Sequence, residues 1–245
     1  MKIKRVLFRL KFILLNPTKS IKFLMSRDKD FSKIHLNEIE KITGKLNFII
    51  EAGASDGIDT QNFVTSNPQT IVYAVEPVAE QYFYLKDKFL NQTNVKLFNL
   101  ALSDKNGLQK IYIGSASGHL GGMGSSSLLE PKDHIKWFPE IKFKDSEIVQ
   151  TITLDQFIDN NKIALVDLIW LDVQGKELDI LKAATSILVN QIKSIHLECS
   201  RVNLYDKMAT FSEIDSFMKS INFICKINRV GAISGNAFYI NSRMF

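Results

Sequence analysis

Short apolar runs alternate along this chain with longer segments whose apolar positions recur every three or four residues. The short runs predict buried strands over 47–52, 70–75, 94–100, 165–172 and 193–199. The periodic segments predict helices over 57–66, 79–90, 153–161, 177–189 and 211–220. The run ending at Asp172 is apolar enough to be a central strand. Residues 108–113 alternate as an extra strand, with 147–152 as its mate, and between them 114–145 shows no period. That long segment carries Gly118, Gly121, Gly122, Gly124, His119, His134 and Trp137, and reads as a functional insertion. Two last strands, 223–227 and 237–240, are expected to pair antiparallel across a turn at 231–235. Strands alternating with helices predict an α/β, doubly wound, mostly parallel sheet.

The N-terminal segment is patterned differently. Val6, Leu7, Leu10, Ile13 and Leu14 fall on one helical face with basic residues between them, and Asn16-Pro17 ends the pattern. Eight of the 31 basic residues and none of the 26 acidic ones lie in 1–27, leaving 23 basic against 26 acidic in the other 218 residues. The basic balance therefore belongs to the extension, and the body offers no reason to expect a nucleic-acid partner. The extension reads either as a helix packed on the protein or as a peripheral contact with an anionic membrane surface. Arg9 and Lys11 break the apolar stretch a secretory signal would need. Residues 18–45 look helical, with Ile34, Leu36, Ile39 and Ile42 as an inner stripe and Gly44 as C-cap. The expected organisation is a basic helical extension over 1–45 and one domain over 46–245. Cys199 and Cys225 lack metal-ligand spacing and read as reduced thiols of a cytoplasmic protein, and no run of 18 apolar residues exists.

Chemistry enters at the strand ends. In a doubly wound sheet, ligands sit beyond the carboxyl ends of the strands. Here those ends carry Glu51 to Gly57, Glu76, Ala101 to Asp104, Asp172 to Gly175, and Glu198. A dinucleotide site would need G-x-G-x-x-G and room for a pyrophosphate. This turn has only Gly53 and Gly57, with Asp56 where the pyrophosphate would lie. Negative charge there suits a ligand bearing a cationic amino group, and Glu76 can accept from both hydroxyls of a ribose. A nucleoside carrying an amino acid meets both demands, which points to S-adenosylmethionine. A nucleotide-dependent oxidoreductase and a non-catalytic binding protein of the same fold remain alternatives.

The motifs Glu51-Ala-Gly-Ala-Ser-Asp-Gly57, Tyr73-Ala-Val-Glu-Pro77, Asn99-Leu-Ala-Leu-Ser-Asp104, Thr153-Leu-Asp155 and Leu168-Ile-Trp-Leu-Asp-Val-Gln-Gly-Lys-Glu177 occur in this order. In this the chain resembles the FkbM family of S-adenosylmethionine-dependent methyltransferases, from about residue 46 to 200. The resemblance implies a seven-stranded Rossmann-like sheet with its last strand antiparallel. It also implies methyl transfer to a hydroxyl of a sugar, a glycan precursor or a secondary metabolite. It further implies that Glu51, Gly53, Ala54, Ser55, Asp56 and Gly57 cradle the methionine part of the cofactor. Glu76 and Pro77 would lie at the ribose, Ala101, Leu102 and Ser103 along the adenine, and Asp172 beside the methyl donor. Many members have Asp at position 51 and Glu at 174, so Gln174 is a poor choice for an essential base. For activating the acceptor, Asp172 is the first candidate, Glu198 the second, and His134 a third with a near-neutral ring. Asp172 and Glu198 alone are a weak metal signal, and no metal is expected.

Overall fold

The computed structural model describes residues 29–116 and 124–245. The basic helix expected over 1–15 lies outside these residues, as do Gly118, His119, Gly121 and Gly122. The first described element, α1 (Lys29–Thr43), ends at Gly44, whose N–H donates to Glu40 in a left-handed turn. Then β1 (Phe48–Ala52), α2 (Ile58–Ser66), β2 (Ile71–Val75), α3 (Ala79–Lys88) and β3 (Val95–Phe98) follow the predicted alternation. After them come β4 (Ala101–Leu102), β5 (Gly107–Ala116), the single-turn α4 (His134–Trp137), β6 (Ile141–Ile152) and α5 (Leu154–Asn160). The last third holds β7 (Leu168–Leu171), α6 (Glu177–Ala183), α7 (Thr185–Gln191), β8 (Ser194–Ser200), α8 (Phe211–Ser220), β9 (Phe223–Val230) and β10 (Ser234–Asn241).

Seven strands form one sheet in the order β3-β2-β1-β7-β8-β10-β9, with β7 in the middle as its unbroken apolar run requires. All neighbours pair parallel except β10, which is antiparallel to both β8 and β9. Successive side chains of a strand point to opposite faces, so the sheet has two cores. Ile50, Ala52, Ile169 and Leu171 pack on one face with α5 to α8, while Ile49, Leu168 and Trp170 pack on the other with Leu36 and Ile39 of α1 and Phe63 of α2. A chain reversal between β1 and β7 sends the connections to opposite sides, which opens the switch-point crevice beyond their carboxyl ends.

Three expectations are revised. The helix predicted over 177–189 is two helices broken at Ala184, because the Thr185 hydroxyl takes the Lys182 carbonyl at 2.9 Å and competes with the helical ladder. β3 stops at Phe98 because Asn99 turns its amide onto the carbonyls of Glu76 and Pro77, both at 3.0 Å. The aperiodic segment is largely strand at its two ends. β5 and β6 pair antiparallel throughout, with a register shift after Ile113 that hides the alternation, and β4 completes a separate sheet in the order β4-β6-β5. Among the described residues no helix is long and apolar enough to cross a membrane.

Candidate active site

The turn after β1 is built by close packing. A Cβ on Gly53 would lie 2.0 Å from the Asp172 carbonyl oxygen, so glycine is what lets the ends of β1 and β7 meet. A Cβ on Gly57 would lie 2.6 Å from Leu85 and 2.7 Å from Phe89 of α3. Both glycines therefore clear space for the protein's own packing. Ala54 and Gly53 donate to the Val75 carbonyl at 3.1 and 2.9 Å, tying the turn to β2. Asp56 spends one oxygen on the Ile58 N–H at 3.0 Å, the bond of a helix-start residue.

Two carboxyls support the turn. Glu51 is buried and accepts the Thr60 hydroxyl of α2, so it braces the turn from within the protein. Burial, then the charge of Asp59, raises its pKa well above the usual range. Glu76, also buried, takes the N–H groups of Ser55 at 2.8 Å and Val78 at 2.9 Å, one on each oxygen. Burial pushes Glu76 up to about 7 against these hydrogen bonds, with Glu147 and Asp172 adding repulsion. Each oxygen keeps a lone pair for a further donor. Ser55 itself stands in a left-handed conformation, φ +49°, held by its N–H bond to Glu76 and by Gln81, which donates to its hydroxyl at 3.2 Å. Pro77 is partly exposed beside Glu76. Ala101 and Leu102 are buried in β4, and the buried Ser103 donates to Asp104 at 3.0 Å and accepts from Gln109 at 2.8 Å.

Across the crevice, Asp172 follows β7 and Glu198 lies near the end of β8, both partly exposed. Gln174 stands between them: its amide nitrogen donates to Asp172 Oδ1 at 2.6 Å and to Glu198 Oε2 at 2.8 Å. Burial and the Glu198 charge hold Asp172 well above the usual carboxylate range, and burial raises Glu198 as well. The two carboxyls therefore titrate as one pair rather than as two independent groups. The single hydrogen of the Tyr205 hydroxyl is shared between two acceptors, the Ser125 carbonyl at 2.7 Å and the Gln174 Oε1 at 3.0 Å. Ser127 donates to the Gln174 carbonyl at 2.7 Å. Glu177 accepts the N–H groups of Val173 and Gly175, which closes the turn beneath.

His134, the third candidate base, lies in the single turn of α4, and its ring does not titrate near neutrality. It is 3 % exposed, its ring centroid lies 5.0–5.2 Å from those of Phe138, Phe143 and Tyr205, and burial pushes its pKa down to about 4. It stands behind Tyr205, one ring removed from the carboxyl pair. His196 stacks on Trp170 at 3.5 Å, as a packed mid-strand residue should. Reading the sequence missed Tyr205, which sits in an aperiodic segment, and it set Gln174 aside by asking only whether it could be a base. Among the described residues no group of three or more His, Cys, Asp or Glu is placed to hold a metal ion.

Glu76, Asp172 and Glu198 thus lie within electrostatic reach of one another at the strand ends, and Glu147 adds its charge at Glu76. A pyrophosphate would be repelled, whereas ribose hydroxyls and a cationic group find partners, so the residues fit S-adenosylmethionine. Comparison with known proteins agrees. Residues 51–225 match the methyltransferase FkbM domain model. The chain is 24% identical over 213 residues to the 2-O-methyltransferase NoeI of Sinorhizobium fredii, covering 86% of each. Among solved structures it is similar to the N-terminal domain of EvdMO1 with SAH bound (10% identity, TM-score 0.47, covering 86% of this chain and 80% of that one). It is also similar to a SAM-dependent methyltransferase from Aquifex aeolicus (12% identity, TM-score 0.44, covering 84% and 88%). The chain belongs to the FkbM family of S-adenosylmethionine-dependent methyltransferases.

Proposed function

We propose that this enzyme O-methylates a hydroxyl group of a sugar, a glycan precursor or a secondary metabolite. The observation that carries this reading is the Asp172–Glu198 pair, joined through Gln174 at the carboxyl ends of β7 and β8. Bound S-adenosylmethionine supplies an electrophilic methyl group. Glu76 would hold the ribose hydroxyls, the 51–57 turn the methionine end, and 101–103 the adenine. A hydroxyl is a weak nucleophile, so the protein must take its proton as the oxygen attacks. A pair of carboxyls holding one proton still offers a basic oxygen at neutral pH. The acceptor's O–H bond would break, its proton would pass to the pair, and the oxygen lone pair would form the new C–O bond as the methyl–sulfur bond breaks, its electrons return to the sulfonium and S-adenosylhomocysteine leaves. The name of the NoeI relative speaks of 2-O-methylation, in keeping with an oxygen acceptor.

Incubating the full chain with methyl-labelled S-adenosylmethionine and a panel of monosaccharides, nucleotide sugars and lipid-linked glycans tests the reading. An ether-bound label is expected, and Asp172→Asn should slow its formation about 100-fold or more. Wild-type rates in both Asp172→Asn and Glu198→Gln, or label found only on nitrogen, would sink it. We further propose a cytoplasmic enzyme in which α1 belongs to the domain and only residues 1–27 act as an extension, touching the inner face of the membrane; the support is the core packing of Leu36 and Ile39 and the basic amphipathic pattern before them. Anionic liposomes should then retain the full chain at low salt and release it at high salt.

A further inference from the structure

We propose that Gln174, oriented by Tyr205, is the positioning residue that holds Asp172 and Glu198 together as one base facing the acceptor hydroxyl. This rests on the methyltransferase reading above and adds to it the two residues that make the pair work. The carboxyls come from the ends of neighbouring strands, and when the pair is ionised a donor between them lowers the cost of keeping both charges close. The Gln174 amide nitrogen has two hydrogens, and each is directed at a different carboxyl, at 2.6 and 2.8 Å. It does neutrally what a cation would do between them, and it leaves the pair its negative charge.

The backbone is shaped for the purpose. Gln174 has φ +55° and Gly175 φ +110°, two successive left-handed residues. A glutamine in that region is strained, and it persists because the surroundings over-determine it. Ser127 fixes the Gln174 carbonyl from the loop side, and Glu177 fixes the neighbouring N–H groups from α6. The acceptor end of the amide is set separately: among the described residues the only hydrogen bond to Gln174 Oε1 comes from the Tyr205 hydroxyl. Tyr205 is fully buried, and its one hydroxyl hydrogen lies between Gln174 Oε1 and the Ser125 carbonyl at 2.7 Å, which together fix the direction of the O–H. With the oxygen end claimed by Tyr205, the nitrogen end faces the pair.

The consequence is readable without knowing the acceptor. Gln174→Leu removes both N–H donors at similar volume. Tyr205→Phe removes only the hydroxyl that orients the amide. In the full chain with carbon-13 labelled Asp and Glu carboxyls and saturating S-adenosylhomocysteine, NMR titration of Asp172 and Glu198 should show the pair ionising about 1 pH unit or more higher in Gln174→Leu. Tyr205→Phe should move it the same way by less. A purely structural role would lower the melting temperature and leave the titration of the folded protein in place. Titration midpoints within about 0.3 pH unit of wild type in both folded variants would overturn the inference, using the NMR reproducibility as the margin. The outcome is distinct from failure of the base reading itself, which Asp172→Asn and Glu198→Gln decide by rate.

Discussion

At Gly53 the backbone φ is +90°, and at Gly44 it is +78°. Both conformations cost an L-residue about 1–2 kcal/mol. Their surroundings differ: a Cβ at Gly44 meets nothing within 4 Å, whereas at Gly53 it runs into the Asp172 carbonyl. Gly44→Ala should therefore cost about 1 kcal/mol in a urea melt, and Gly53→Ala clearly more, about 3 kcal/mol, with loss of S-adenosylhomocysteine binding. Equal costs would mean the β1–β7 contact yields easily. The pair also shows what residue types disclose. A glycine announces an unusual backbone without saying whether a ligand or the protein fills the freed space. Asp172 and Glu198 were legible because acids at strand ends need a reason. Gln174 and Tyr205 were not, since their importance lies in which atoms they orient, and a sequence shows residue types rather than bond directions.

Elements were the most legible level, because burial imposes a period on the sequence. The strands of the main sheet follow from their apolar runs, and misplacements occur where a side chain competes with the backbone, at Asn99 and Thr185. At this scale α1 is built into the domain. Leu36 and Ile39 are fully buried against the sheet, the His35 Nδ1 meets the His196 Nε2 at 3.3 Å, and Glu38 binds Arg229 of β9. An element so placed is part of the core. Leu36→Ala should cost about 2–5 kcal/mol in equilibrium denaturation. Ile42→Ala, on the same helix but 37% exposed, should stay within about 0.5 kcal/mol. If Leu36→Ala proves equally mild, α1 is a detachable extension and the domain begins after it.

Across the whole molecule, charge was legible only as a sum. The sequence places acids at one edge of the sheet; the fold brings Glu76, Asp172 and Glu198 within electrostatic reach of one another, while Glu51 accepts from Thr60 and Glu177 from the 173–175 turn. The consequence is a proton count. Glu76 is pushed up to about 7 from an ordinary value of 4.5, so the ligand-free protein carries a proton there through the weakly acid range. The sign follows. A raised folded pKa favours the protonated fold, so the contribution of Glu76 to stability is complete below about 4.5 and declines as pH rises to about 7. A ligand that donates hydroxyl hydrogen bonds to the carboxylate, and brings positive charge near it, favours the ionised form and must expel the proton. Binding of S-adenosylmethionine near pH 6 should therefore release about one proton, and its affinity should rise with pH until it levels off above about 7. Calorimetry in two buffers of different ionisation enthalpy reads the released proton directly. S-adenosylhomocysteine lacks the sulfonium charge and should release fewer. Glu76→Gln should bind more weakly and release almost none, whereas an undiminished proton release in that variant would move the origin of the effect to the Asp172–Glu198 pair.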